Sequence, residues 1–399
     1  MATIKEFYDH PDQSEIDSLV VSINTRPDGK IAVILDRTIM YPEGGGQPSD
    51  HGSIAGLPVI AAEEADDVVV HLLDARDADL KAAGIVAGQS VRSKVDLVRR
   101  REHSEQHSAQ HLLSAVILRL LDAATLSFHL GEAYSSIDID IPPFDRPSAD
   151  AVEDEVMRII RDDYSVMTHV CRPEDTARFP LRKQPSVEAG ELRIVEFDGL
   201  EYSACCGTHV KSTRDIGLFR ILKVEKYKGG CRLYFVAGGR AYADYRRLAT
   251  LMRDTASQAG SSDEELPGIV AGYRERIKNL EYGLNEAKDS AAMARAELLS
   301  GNDAGKLIFA EAETFDSASR LARALSRLGR VSVVACREER KIVASSPNDQ
   351  DSLAVDALFG PQAKAQGGKG GGGKTFFQAA FPDEPSLDAF LVDASLATA

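Results

Sequence analysis

Three histidines stand four residues apart in Arg101-Glu-His103-Ser-Glu-Gln-His107-Ser-Ala-Gln-His111-Leu-Leu. At about 100° per residue, a helix carries neighbouring members roughly 40° apart on one face. Two imidazoles at i and i+4 can address one cation, and zinc accepts such ligands. Spacing alone does not say which two of the three do so. The pattern of a zinc-protease helix is absent, because Ser and not Glu follows both His103 and His107. About a hundred residues on lies Ser203-Ala-Cys205-Cys206-Gly-Thr208-His209. A thiolate and an imidazole four apart in a glycine-containing turn are again metal ligands by type and spacing. Two histidines from a helix and a Cys–His pair from a loop complete a tetrahedral set. The plainer readings are a histidine-rich solvated face and a buried small thiol. Three of the nine histidines falling within nine positions argues against the first.

The elements that must position these residues follow from length and pattern. The 399 residues suggest two to three domains. Residues 1–98 are predicted as a β-rich, barrel-like domain, from β-branched runs at 31–35, 68–73 and 91–98 separated by turn signals. Residues 99–240 are predicted as an α+β domain holding the metal motifs. Its helices fall near 103–122 and 148–162, the second capped by Ser148, and its strands near 192–197, 217–225 and 231–236. Residues 241–300 read as an antiparallel helical hairpin. Its seam runs through Ile277, Leu280, Leu284, Ala287, Ala291, Ala294 and Leu298, and the Gly260–Gly268 segment breaks it. Residues 301–399 read as a small α/β domain with helices near 316–328 and 351–359 and a glycine-rich loop before Thr375.

Composition excludes several classes. The net charge of −15 rules out a uniformly basic nucleic-acid binder, though not a local basic face. No apolar run approaches a membrane span. The first nine residues, with Lys5, Glu6 and Asp9, predict no signal peptide, and five unevenly spaced cysteines predict a reducing, cytoplasmic setting.

Four ordered blocks carry a resemblance. They are Thr38-Ile-Met-Tyr-Pro-Glu-Gly-Gly-Gly-Gln47-Pro-Ser-Asp50-His-Gly52, the HxxxH-Leu-Leu helix, the Cys-x-Gly-Thr-His loop, and Thr213-Arg-Asp-Ile-Gly217 with Gly230-Cys-Arg232-Leu-Tyr-Phe. Together they resemble the editing domain of alanyl-tRNA synthetase and its standalone relatives, the alanyl-tRNA editing proteins of the AlaX family. More weakly, the carboxy-terminal region resembles the DHHA1-type domain of the long forms. The resemblance implies a zinc-dependent hydrolase that removes serine or glycine from mischarged tRNA(Ala) in trans. It implies His107, His111, Cys205 and His209 as the zinc ligands, with His103 outside the set. Gln47 and Thr208 are candidates to hydrogen-bond the substrate's hydroxyl or terminal ribose, with a loop-bracing amide and a turn residue as the equally open readings. Cys206 departs from the family, where glycine is frequent.

A tRNA partner must be reconciled with the acidic total. Lys211–Arg232 holds seven basic and two acidic residues, and Lys364–Lys374 holds three basic and none acidic. The predicted RNA contacts are Arg99, Arg100, Lys223, Lys226, Lys228, Lys369 and Lys374. The helical seam also offers a surface for a homodimer. Three other readings compete: a non-catalytic tRNA-binding module with a structural zinc, a small-molecule esterase, and an ATPase. The last rests on Gly368-Lys-Gly-Gly-Gly-Gly-Lys374-Thr375, which formally matches a P-loop.

Overall fold

The computed structural model describes residues 2–184, 190–302, 307–348 and 353–396. The chain divides into two compact units, Met1–Met252 and Arg253–Ala399. Both mix helices with sheets, an α+β architecture.

The first unit opens with six antiparallel strands: Glu15–Thr25 (β1), Ile31–Leu35 (β2), Gly52–Ile54 (β3), Leu57–Ala65 (β4), Val68–Leu73 (β5) and Ser90–Val95 (β6). They pair in the ring β1-β2-β5-β4-β3-β6, and β6 returns to β1 to close a barrel. Alternation explains the closure. In β6, Val91, Ser93 and Val95 point inward while Ser90, Arg92 and Lys94 face out. Val33, Leu35, Ile54 and Leu73 fill the interior. The glycine-rich segment between β2 and β3 leaves the barrel and reaches the histidine helix.

That helix, α1, runs Leu97–Leu121. It starts at Asp96, whose side chain accepts from the amides of Val98 and Arg99 at 2.9 and 3.1 Å. Asp122, at φ 50°, ends it in the left-handed conformation. Leu112, Leu113, Val116 and Ile117 are fully buried, each contributing about 1.5–3 kcal/mol of apolar burial. Leu120, one turn on from Val116, is exposed. Strands Thr125–Leu130 (β7) and Ser135–Ile139 (β8) follow, then helix Arg146–Asp162 (α2). Here Asp145, not Ser148, is the cap, and it accepts from the Ser148 amide at 3.1 Å. Both residue types can cap, and the extended backbone at Asp145 (φ −73°, ψ 171°) decides.

Val166–Cys171 (β9), Leu192–Phe197 (β10) and Tyr202–Ala204 (β11) form a three-stranded sheet. Phe219–Tyr227 (β12) and Gly230–Ala237 (β13) complete a four-stranded sheet in the order β12-β13-β8-β7. Helices α1 and α2 bury their apolar faces with Ile137, Ile139, Leu233 and Phe235 of this sheet.

Helix Gly238–Ala259 (α3) leaves the first unit, and Leu266–Asn302 (α4) lies in the second. The expected seam is not the packed face of α4. Ile277, Leu280, Leu284 and Leu298 are exposed, whereas Ala292, Met293, Ala296 and Leu299 pack against helix Phe315–Arg327 (α5), which follows strand Leu307–Glu311 (β14). Small alanines let α5 approach closely there, and Arg320 of α5 clamps Asp289 and Asn285. The remaining elements are Val331–Cys336 (β15), Lys341–Ser345 (β16), Val355–Ala365 (α6), Lys369–Gly373 (β17), Phe376–Ala380 (β18) and Glu384–Leu396 (α7). The sheet order is β14-β15-β16-β18-β17. The helix expected at 351–359 is described only from 353, and it begins at Val355. The glycine-rich run is an exposed edge strand rather than a loop. Gly370 and Gly372 turn toward β18, where a Cβ would meet backbone oxygens at 2.0 and 2.1 Å. A strand–hairpin–strand context is not that of a P-loop, which opens a helix.

Candidate metal centre

Helix α1 presents His107 and His111 from one buried face, with ring centroids 5.3 Å apart. The Cys205–His209 loop leaves β11 and closes over them. Arg193 of β10 holds its backbone, donating from Nη1 to the carbonyls of Gly207 at 2.8 Å and Cys205 at 3.2 Å. Tyr8, from the segment ahead of the barrel, donates to the Cys206 carbonyl at 3.0 Å, and Arg193 stacks over its ring. Gly207 is required by space, because a Cβ there would lie 2.1 Å from His107 Cε1.

The Cys205 Sγ lies 3.4 Å from His107 Nε2 and 3.3 Å from His209 Nε2. The ligand atoms of His107, His111, Cys205 and His209 all fall within 4.8 Å of one another, a set that could hold a metal ion. Two of the imidazoles are held by hydrogen bonds through their other nitrogen, and the third faces a carboxylate. His107 Nδ1 meets Gln47 Oε1 at 2.8 Å, His209 Nδ1 meets Ser108 Oγ at 3.1 Å, and His111 Nδ1 faces Glu201 Oε1 at 3.4 Å. Because Gln47 Oε1 only accepts, His107 carries its proton on Nδ1 and frees Nε2. His103, one turn earlier, is buried outside the cluster. Burial, helped by Arg99 and Arg240, lowers its pKa to about 4.

The electrostatics favour a thiolate. Burial would raise the Cys205 pKa, but the His107 and His209 imidazoles beside it hold it well below the usual thiol range. Burial also opposes charge on His111, yet the Cys205 and Glu201 contacts raise its pKa to about 9. Burial depresses His209 to about 3. The centre therefore sets one cysteine sulfur among three imidazoles, the donor chemistry of a borderline-soft cation.

Gln47 and Thr208 are both buried and bound to each other. Gln47 Nε2 donates to Thr208 Oγ1 at 2.9 Å, and Gln47 Oε1 accepts from the Thr208 amide at 3.1 Å. Ser104 Oγ lies 2.8 Å from Thr208 Oγ1. These contacts fasten the barrel's glycine-rich segment to the metal loop. The same segment is tied to β7, where Leu130 N–H donates to Gly46 O at 3.1 Å.

Arg100 is placed differently from the expected RNA contact. It is buried against Asp50, donating from Nε at 2.8 Å, and it also donates to the Ile39 carbonyl from Nη2 at 2.6 Å. A guanidinium held by a buried carboxylate is not available to a phosphate. Arg99 is half-buried and donates to Ser49 O. Lys223, Lys226, Lys228, Lys369 and Lys374 are exposed, with Lys223 ion-paired to Glu225. Beside the metal loop, a cleft of about 580 Å³ is lined by Arg101, Ser104, His209 and Lys211.

Sequence reasoning did not single out Ser108, Glu201, Arg193 or Tyr8. Ser108 carried a weak signal, one position after His107 on the same helix. The others reach the centre only through tertiary contacts.

Residues 192–234 match the family described as the threonyl and alanyl tRNA synthetase second additional domain. The chain is 29% identical over 418 residues to an alanine–tRNA ligase of Natronomonas pharaonis, covering 98% of this chain and 43% of that protein. It is 35% identical over 248 residues to the alanyl-tRNA editing protein Aarsd1 of Danio rerio, covering 60% and 58%. It is 30% identical over 299 residues to the alanyl-tRNA editing protein AlaX-L of Pyrococcus horikoshii, covering 73% and 70%. The chain thus spans under half of the ligase's length but more than two thirds of the AlaX-L protein. With the motifs in order, their side chains gathered at one centre and this coverage, the chain belongs to the alanyl-tRNA editing protein family.

Proposed function

We propose that this chain hydrolyses the ester of tRNA(Ala) mischarged with serine or glycine, in trans, at a zinc ion held by His107, His111, Cys205 and His209. The observation that carries the reading is the convergence of one cysteine sulfur and three imidazoles in a chain of this family. The donor set is of the Cys/His type that zinc prefers. Discrimination by binding is weak for amino acids differing by one small group, so a second hydrolytic site is the chemical remedy. When bound, zinc supplies Lewis acidity toward a carbonyl oxygen or bound water.

The chain's own residues do the rest. Gln47, Ser108 and Glu201 aim the three imidazoles, and Arg193 and Tyr8 hold the loop that carries Cys205 and His209. Gln47 and Thr208 act by positioning the loop, since their polar atoms are bound to one another. The cleft beside Ser104 and His209 receives the terminal nucleotide, with Arg101 and Lys211 on its rim. Lys223, Lys226 and Lys228, and in the second unit Lys369 and Lys374, meet phosphates. We read residues 1–98 and 99–240 as barrel and editing domains, and the carboxy-terminal unit as DHHA1-type. The substrate places the reaction in the cytoplasm.

The test is deacylation of Ser-tRNA(Ala) beside Ala-tRNA(Ala), with and without chelator. Selective, chelator-sensitive loss of serine is the expected result. A second reading, a tRNA-binding protein with a structural zinc, is favoured by one observation: all four ligand positions are protein groups, leaving none open. Zinc and tRNA bound without hydrolysis would install that reading instead.

A further inference from the structure

Glu201 is a carboxylate almost removed from water, at 4% exposure, in the turn that joins β10 to β11. Its Oε1 accepts from Arg182 Nε at 3.0 Å and from the Ser203 hydroxyl, and lies 3.4 Å from His111 Nδ1. Arg182 Nη2 also donates to Ser203 Oγ at 3.2 Å, so the carboxylate cannot swing without breaking a three-membered clamp. The His111 ring is fixed in the other direction by Phe197, stacked at 5.7 Å. Phe197 stacks on the ring, whose Nδ1 edge faces Glu201.

The three imidazoles differ in the group behind them. His107 has a neutral amide oxygen, His209 a hydroxyl, and His111 alone a carboxylate. A buried carboxylate is costly unless something compensates it. Arg182 compensates part, and the remainder is a negative potential at the Nδ1 side of a metal-ligand ring.

We infer that Glu201 is the outer carboxylate of the metal centre, a positioning residue that accepts the Nδ1 proton of His111, leaves Nε2 as the ligand atom and lends the centre negative charge. The inference rests on the metal reading of the four-residue cluster. Carboxylate partners of ligating histidines raise ligand basicity, and their loss weakens metal affinity about 10–100-fold.

The test compares the wild type with Glu201→Gln and Glu201→Ala in the full chain. Zinc affinity is measured by competition with a chromophoric chelator, and Co2+ is added as a spectroscopic probe. Glu201→Gln keeps shape and an acceptor oxygen but loses the charge, and is expected to weaken zinc about 10-fold. Glu201→Ala is expected to weaken it about 100-fold. Ring 15N shifts of zinc-loaded wild type should show His111 protonated on Nδ1. Should the alanine variant fail to fold, the glutamine variant and the wild-type tautomer decide the matter. Zinc affinity within twofold of wild type in Glu201→Gln, with an unchanged Co2+ spectrum, overturns the inference. So does a His111 protonated on Nε2. A wild type that binds neither Zn2+ nor Co2+ overturns the metal reading itself, and the inference with it.

Discussion

Replacing Gly207 with Ala adds a single methyl group at the tightest point of the centre. Built on the existing backbone, that methyl lies 2.1 Å from His107 Cε1, 2.3 Å from His107 Nδ1 and 3.0 Å from Gln47 Oε1. An ordinary contact needs roughly 3.4 Å, so ring and loop must part by about 1.3 Å. Neither can move alone. His107 is tied to Gln47, and the loop is tied to Arg193 through the Gly207 carbonyl. Metal sites tolerate ligand displacements of only about 0.2 Å. The separation acts directly on the His107–Cys205 and His107–His209 distances, so zinc affinity should fall about 100-fold. Deacylation should fall by a similar factor, as expected for an ångström-scale misplacement of reacting groups. The atoms nearest the added methyl belong to the side chains of His107 and Gln47 rather than to backbone, so the far-ultraviolet circular dichroism should be unchanged. Zinc competition and single-turnover deacylation on the same preparation would check this. Zinc affinity within threefold of wild type would refute the argument, because it would show that the loop repacks without moving its ligands.

Other consequences follow from the same geometry. Asp50→Ala strands the Arg100 guanidinium in the interior and should destabilise the first unit by about 3–5 kcal/mol, read as a lower urea midpoint. His71, wholly buried in the barrel, lies 2.7 Å from Thr38 Oγ1 and 3.1 Å from the Val33 carbonyl. Burial lowers its pKa from 6.5 to about 4, so its contribution is complete above pH 6.5 and lost as pH falls toward 4. Between pH 7.5 and 5 this amounts to about 2 kcal/mol, which should vanish from the pH dependence of stability in His71→Gln. Changing Lys223, Lys226 and Lys228 together to Gln should weaken tRNA binding and flatten its salt dependence by up to about three units of slope while leaving zinc content intact; an unchanged slope would remove this face from the RNA contact. Cys205→Ala should abolish both zinc binding and deacylation.

The four residues of the candidate metal cluster were legible in the sequence as pairs, because that information is local, but choosing His107 and His111 over His103 took the family resemblance. HxxxH on an amphipathic helix and CxxxH in a glycine turn each bring two ligands together by backbone periodicity alone. The strand-rich start was legible for the same reason, since β-branched alternation is a property of neighbours. The start of α2 was misjudged by three residues, because Asp145 and Ser148 both suit a cap and the sequence does not show which one takes the extended backbone. The glycine-rich run reads as a loop in the sequence, because its strand character comes only from pairing with β18. The seam on α4 shows the same limit. A 3-4 spacing marks an apolar stripe but not whether anything covers it, and here the alanine face takes the partner helix.

The motifs name the side chains that can bind a metal and the elements on which they ride. What stands behind them comes from long-range packing. Gln47 and Glu201 lie 60 and 90 positions from the histidines they face, and Arg100 is withdrawn from solvent by an aspartate 50 residues away. Such pairings depend on how barrel, helix and sheet dock, and docking is set by the summed burial of many apolar residues rather than by any local pattern.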